Sequence, residues 1–118
     1  MIGVDICSIS KIQKIIEQNP KAMQRFFCTE EQAYLEQKNN VKWQSAAAMF
    51  AGKEALLKSF GRGIGAVALN EICIAHLPSG QPYIKLLGNA QQVLYTERTL
   101  HISLSHEQDM AIAVVMHC

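Results

Sequence analysis

The longest regular pattern in the chain runs from about Trp43 to Phe60, closed by Gly61, and every other element has to be arranged around it. At about 100° per residue, Ala46, Phe50, Leu57 and Phe60 gather on one apolar stripe of this helix. Glu54 falls inside the stripe, one turn after Phe50 and three residues before Leu57, with Lys53 on its other flank. A carboxylate in such a place needs a partner other than water.

The flanking segments predict an α+β chain. "IGVDI" alternates, with Ile2, Val4 and Ile6 on one face and Gly3 and Asp5 on the other, the period of a half-buried strand. From Ser8 or Ser10 as N-cap, Ile9, Ile12, Ile15 and Ile16 recur at helical spacing until "NP" at 19 and 20, while Lys11 and Lys14 fall off the apolar face. "TEEQ" at 29 to 32 predicts a capping box between Thr29 and Gln32 and a short helix to about Gln37. "EICIAHL" and "YIKLL" flank "PSGQP" as a hairpin, and "NAQQVLYTE" reads as a short helix capped by Asn89. "HISLS" alternates, "HEQD" turns, and "AIAVVM" suits a central strand. The expected fold is α+β, a mainly antiparallel sheet packed with a long helix and shorter helices.

With 118 residues, 49% of them hydrophobic, there is material for one core and little for a second, so a single domain over residues 1–118 is expected. The net charge of +1 provides no basic field for nucleic acid and no acidic excess for disorder. Cys7, Cys28, Cys73 and Cys118 form no CxxC pair, and a buried, reduced thiol is expected for each, which fits a reducing cytosol. No basic stretch precedes a long apolar run at the N-terminus, and no apolar stretch reaches about 18 residues, so neither secretion nor membrane spanning is indicated.

Three polar groupings carry candidate chemistry. Asp5 and Glu54, if brought together, would repel unless a hard cation, a basic partner or a shared proton joined them; magnesium commonly takes one or two carboxylates and substrate phosphates. The alternative is an exposed Glu54–Lys58 pair, with Asp5 merely ending a strand. At the helix end, Lys53, Lys58 and "GRGIG" at 61 to 65 can hold an anion, or the glycines can serve as a plain C-cap and loop. His106 in "SLSHEQD" can donate to a phosphate or act as a turn residue; Ser103 and Ser105 lack the GxSxG elbow of a hydrolase.

Taken in order, "GVDI", "FFCTEEQ", "FAGKEALLKSFGRGIG", "SGQPYI" and "ISLSHEQDMAIAVVM" resemble the holo-acyl-carrier-protein synthases, the small class of 4′-phosphopantetheinyl transferases. The resemblance covers nearly the whole chain. It implies transfer of the 4′-phosphopantetheine arm of coenzyme A to a serine of apo acyl carrier protein, with release of adenosine 3′,5′-bisphosphate, in the cytoplasm. It further implies Asp5 and Glu54 as magnesium ligands, and Asp5, Glu54 and Lys58 as the catalytic set. Lys58, Gly61, Arg62 and His106 are the implied coenzyme A contacts. A homotrimer with coenzyme A between subunits is implied too, as is a carrier-docking first helix bearing Lys11 and Lys14, with Lys21 and Arg25 as further candidates.

The sequence departs from the family at several positions. Met49 stands where many relatives have an arginine that contacts coenzyme A, and Arg62 is the candidate to compensate. Lys11 replaces the usual arginine of the first helix, keeping charge and losing the bidentate fork. Gln81 occupies a position that is often lysine. Met49 is the main support for the alternative, a non-catalytic coenzyme A or nucleotide-binding module on the same scaffold.

Overall fold

The computed structural model describes residues 1–118. Strand β1 (Ile2–Ser8) passes directly into helix α1 (Ile9–Gln18), because Ser8 Oγ accepts the Lys11 amide at 3.2 Å and caps the first turn. Asp109, from the turn between the last two strands, accepts from Ser8 Oγ at 2.7 Å and from Ser10 Oγ and the Ser10 amide at 2.8 Å, locking this corner. Helix α2 (Ala22–Phe26) is an additional short element after Pro20, where the sequence pattern predicts only a break. Then follow α3 (Thr29–Glu36), α4 (Lys42–Ser59), β2 (Ile72–His76), β3 (Pro82–Leu86), α5 (Ala90–Val93), β4 (Leu100–Glu107) and β5 (Met110–His117).

The α+β expectation holds, with all strand pairs antiparallel, but the strands divide into two sheets: β1-β5-β4 and the hairpin β2-β3. The apolar run of β5 is the central strand. The turn before it is tighter than "HEQD" suggests, since β4 continues through Glu107 and only Gln108, at φ 54°, and Asp109 connect the strands. Asn89 sits at the N-cap of α5 without a side-chain cap bond. Gly61, at φ 69°, closes α4 as a Schellman cap: its amide donates to Lys58 O at 2.9 Å, and that of Arg62 to Leu57 O at 2.8 Å.

The alternation of β1 is present, with its polarity reversed. Gly3 and Asp5 face the core, whereas Ile2, Val4 and Ile6 are 64%, 50% and 57% exposed. Gly3 explains this choice. A Cβ there would collide with the carbonyl oxygen of Ala55 and lie 2.7 Å from the Ser59 amide nitrogen, so only glycine lets α4 lie this close to the strand. In register with the outer residues of β1 stand Met110, Ile112, Val114 and Met116, which give the sheet a second, solvent-facing apolar surface.

Helix α4 is buried around most of its circumference rather than along one stripe: Ala46, Ala47, Met49, Ala51, Lys53, Ala55, Leu56 and Leu57 are all in the interior. Lys53 is held there by Glu31 Oε1 at 2.7 Å and by the carbonyl oxygens of Phe26 and Leu69 at 2.5 and 2.9 Å. Burial pulls its pKa down, opposed by Glu31. Glu31 in turn accepts the amides of Cys28 and Ile74, both at 2.9 Å. The α3 cap is therefore Cys28 with Glu31, one residue earlier than the predicted Thr29–Gln32 box. Of the four free thiols Cys73 is buried, Cys7 and Cys28 are half-buried, and Cys118 is exposed, contrary to expectation for the last.

His117 closes the far end of the core, its Nε2 2.8 Å from Ser59 Oγ and its ring stacked on Phe60. Burial, then the N-terminal ammonium, hold it below its ordinary value of 6.5. Below that pH the unfolded chain binds the proton more readily than the fold does, so stability is present above about 6.5 and falls on acidification. Replacing His117 by glutamine is expected to flatten the fall in melting temperature between about pH 7 and pH 5. An unchanged slope would place the acid sensitivity elsewhere.

Candidate active site

Asp5 lies at mid-strand in β1, opposite Ala113 of β5, whose small side chain leaves the carboxylate room beside α4. Its Oδ1 accepts from Lys58 Nζ at 2.9 Å; its Oδ2 is buried without a partner. Lys58 also donates to the Val4 carbonyl at 3.2 Å, and its ion pair is with Asp5, not with Glu54 one turn away on the same helix. The Asp5 carboxylate raises the Lys58 pKa through this bond and its charge.

Glu54 is half-buried and within hydrogen-bonding reach of Asp5. Burial first, then the bond to Asp5 and its charge, push the Glu54 carboxyl up to about 7, with Lys58 pulling the other way. The nearby Cys7 thiol donates to Ala47 O at 3.2 Å and is raised to about 11 by burial, Asp5 and Glu54, so it remains protonated. An unsatisfied buried carboxylate oxygen costs on the order of 1–3 kcal/mol. With Glu54 protonated its carboxyl donates to Asp5 and offsets that cost; with both acids ionised, a cation between them would have to.

The carboxylates border a cavity of ≈ 230 Å³, with Leu57, Lys58, Arg62, Gly63 and Ile64 completing its rim. No cluster of three or more His, Cys, Asp or Glu side chains is formed. What the cavity offers is a pair of hard oxygen donors, one with a free atom, beside two basic side chains. That donor set fits magnesium, which takes one or two carboxylates and keeps positions for water and phosphate oxygens. Gly61 stands in the helix cap, just outside this lining.

His106 lies elsewhere. It is exposed near the end of β4 and borders a second cavity, ≈ 310 Å³, with Met49, Ala48, Tyr34, His76, Leu104 and Ser105. Ser103 and Ser105 alternate with it along the strand, paired to Val114 and Ile112, and Ser105 also borders this cavity whereas Ser103 does not. Within one chain, then, the structure brings together Asp5, Glu54, Lys58 and Arg62 and keeps His106 apart. Arg62 and Met49 border different cavities. Cys7, Tyr34 and His76 were not singled out by the sequence pattern; the alternation of β1 alone puts Cys7 on the Asp5 face, whereas no local signal joins Tyr34 to His76.

Comparison with known proteins gives a consistent result. Residues 1–115 match the family model of the 4′-phosphopantetheinyl transferase superfamily. The holo-[acyl-carrier-protein] synthase of Treponema denticola is 36% identical over 117 residues, covering 98% of this chain and 94% of that protein. That of Clostridium tetani is 38% identical over 114 residues, covering 95% and 90%. The crystal structure of the Helicobacter pylori holo-[acyl-carrier-protein] synthase in complex with coenzyme A superposes with a TM-score of 0.86 at 33% identity, over 100% of both chains.

Proposed function

Since the chain belongs to the 4′-phosphopantetheinyl transferase superfamily, we propose that it transfers the 4′-phosphopantetheine arm of coenzyme A to a serine of apo acyl carrier protein, using magnesium and releasing adenosine 3′,5′-bisphosphate. Residues 1–118 act as one domain. The observation that most supports this reading is the Asp5–Glu54 pair with its orphaned Asp5 Oδ2.

In this reaction the serine Oγ bonds to the phosphorus that carries pantetheine, and the bond from that phosphorus to the bridging oxygen breaks, the electron pair leaving on the adenosine bisphosphate. Asp5 and Glu54 would hold magnesium, which when bound supplies positive charge against the diphosphate oxygens. Glu54, whose carboxyl is pushed up to about 7, is the carboxylate proposed to receive the serine proton. Lys58, whose side chain is 54% exposed, turns from Asp5 to a phosphate oxygen, and Arg62 and Gly63 border the same cavity, held there by the Gly61 cap. Positioning and fixed charge supply most of the rate.

His106 contributes to coenzyme A binding from the second cavity. Its separation from the carboxylates, together with the exposed apolar face of Ile2, Val4, Ile6, Met110, Ile112 and Met116, supports a homotrimer that places the cofactor between subunits. Exposed Lys11 and Lys14 on α1, with Lys21 and Arg25 beyond, suit an acidic carrier surface. No helix is long and apolar enough to cross a membrane, and the cytoplasm is the proposed location.

Incubation with apo carrier protein, coenzyme A and magnesium, followed by mass spectrometry, is expected to show a gain of about 340 Da on the carrier, abolished by EDTA and restored by excess magnesium. An unchanged carrier mass would sink the reading. Tight coenzyme A binding without transfer would favour the non-catalytic module to which the buried, uncharged Met49 points.

A further inference from the structure

Tyr34 of α3 and His76 of β2 form a flat stack, with ring centroids 3.9 Å apart and planes 3° from parallel. The stack lines the ≈ 310 Å³ cavity together with Ser45, Met49 and His106. His76 Nδ1 is buried with no hydrogen-bond partner. An orphaned lone pair is tolerated better than an orphaned N–H, so the ring proton belongs on Nε2, the nitrogen left to reach the cavity. Burial first, then the charge of Lys38, hold the ring below its ordinary value of 6.5, against an opposing pull from Glu30. The Lys38 ammonium lies 4.8 Å from the Tyr34 ring centroid on the same assembly. His76 is thus a rigid neutral donor in a positive field.

Coenzyme A carries a diphosphate and, separately, a phosphate monoester on its ribose. The proposed chemistry commits the diphosphate to the cavity of Asp5, Glu54 and Lys58. The monoester needs donors elsewhere, and the second cavity provides imidazoles and hydroxyls with no carboxylate in its lining. Met49, 1% exposed, brings it no charge.

We propose that His76, held flat against Tyr34, is a binding residue of this site that donates Nε2–H to the ribose 3′-phosphate of coenzyme A. The assignment rests on the function proposed above and names a contact that function does not require. The ring is oriented by stacking rather than by a bond, with Nδ1 turned inward and the Nε2–H donor left for the ligand.

Calorimetric titration with adenosine 3′,5′-bisphosphate and with adenosine 5′-monophosphate tests this directly. H76F retains an aromatic stack and loses the donor; it is expected to weaken bisphosphate binding about tenfold and monophosphate binding about twofold or less. H76Q, whose amide nitrogen reaches the place of Nε2, is expected to recover most of the difference. Equal losses for both nucleotides, or an intact bisphosphate preference in H76F, would overturn the assignment. If the wild-type chain still charges the carrier protein, that result leaves the transferase reading standing. A wild-type chain that neither transfers nor binds either nucleotide overturns both.

Discussion

E54Q is expected to lose magnesium-dependent transfer almost completely, by about a thousandfold or more, while melting within a few degrees of the wild type. The amide keeps the size of the side chain and removes the charge that makes Glu54 a cation ligand and a proton acceptor. It also removes the cost of burying the Glu54 charge, which, with the bond to Asp5 and its charge, pushes that carboxyl up to about 7. Loss of activity accompanied by unchanged or raised stability is therefore the signature of a carboxylate placed for chemistry. Retained turnover on the carrier protein would remove Glu54 from the mechanism, and a collapse of melting temperature would make it a structural residue.

K53M has the opposite profile. Lys53 and Glu31 are both 0% exposed at the side chain, and the ammonium satisfies two carbonyl oxygens besides the carboxylate. Removing it strands a buried negative charge, at a cost of about 3–5 kcal/mol. That is a large part of the total for a chain of this size, and the melting temperature is expected to fall by about 10 °C or more. E31Q combined with K53M should recover part of the loss, since the amide removes the stranded charge and its one oxygen still accepts from one of the two backbone amides, Cys28 or Ile74, that the carboxylate serves. If K53M alone melts like the wild type, the ion pair is not what anchors α3 to α4.

Much of this arrangement can be read from residue order alone, and the exceptions have physical causes. The alternation in "IGVDI" separates Asp5 from Ile2, Val4 and Ile6, and the regular run ending at Gly61 predicts α4 nearly to its ends. Which face of β1 is the core is not legible, because the deciding contact is between Gly3 and the backbone of Ala55, which are distant in sequence. The cap of α3 slips by one residue because "CTEE" and "TEEQ" both fit a capping pattern locally, and only the buried Lys53 selects Glu31. The pairing of Lys58 with Asp5 rather than Glu54 has the same origin: helical spacing shows the near neighbour, and tertiary packing supplies the stronger partner. The His106 cavity gathers Tyr34, Met49, His76 and His106 from α3, α4, β2 and β4, and no periodicity connects them.

The order β1-β5-β4 has a consequence for how the enzyme comes into being. Residues 2–8 find their strand partner in residues 110–117, so β1 is paired only when a segment about a hundred residues further along the chain is in place. Before that pairing β1 has only its packing on α4 to hold it, through Gly3 against Ala55 and through Asp5 on Lys58. The site that joins the two acids therefore rests on one of the longest-range pairings of the fold, and its formation is tied to closure of the whole sheet.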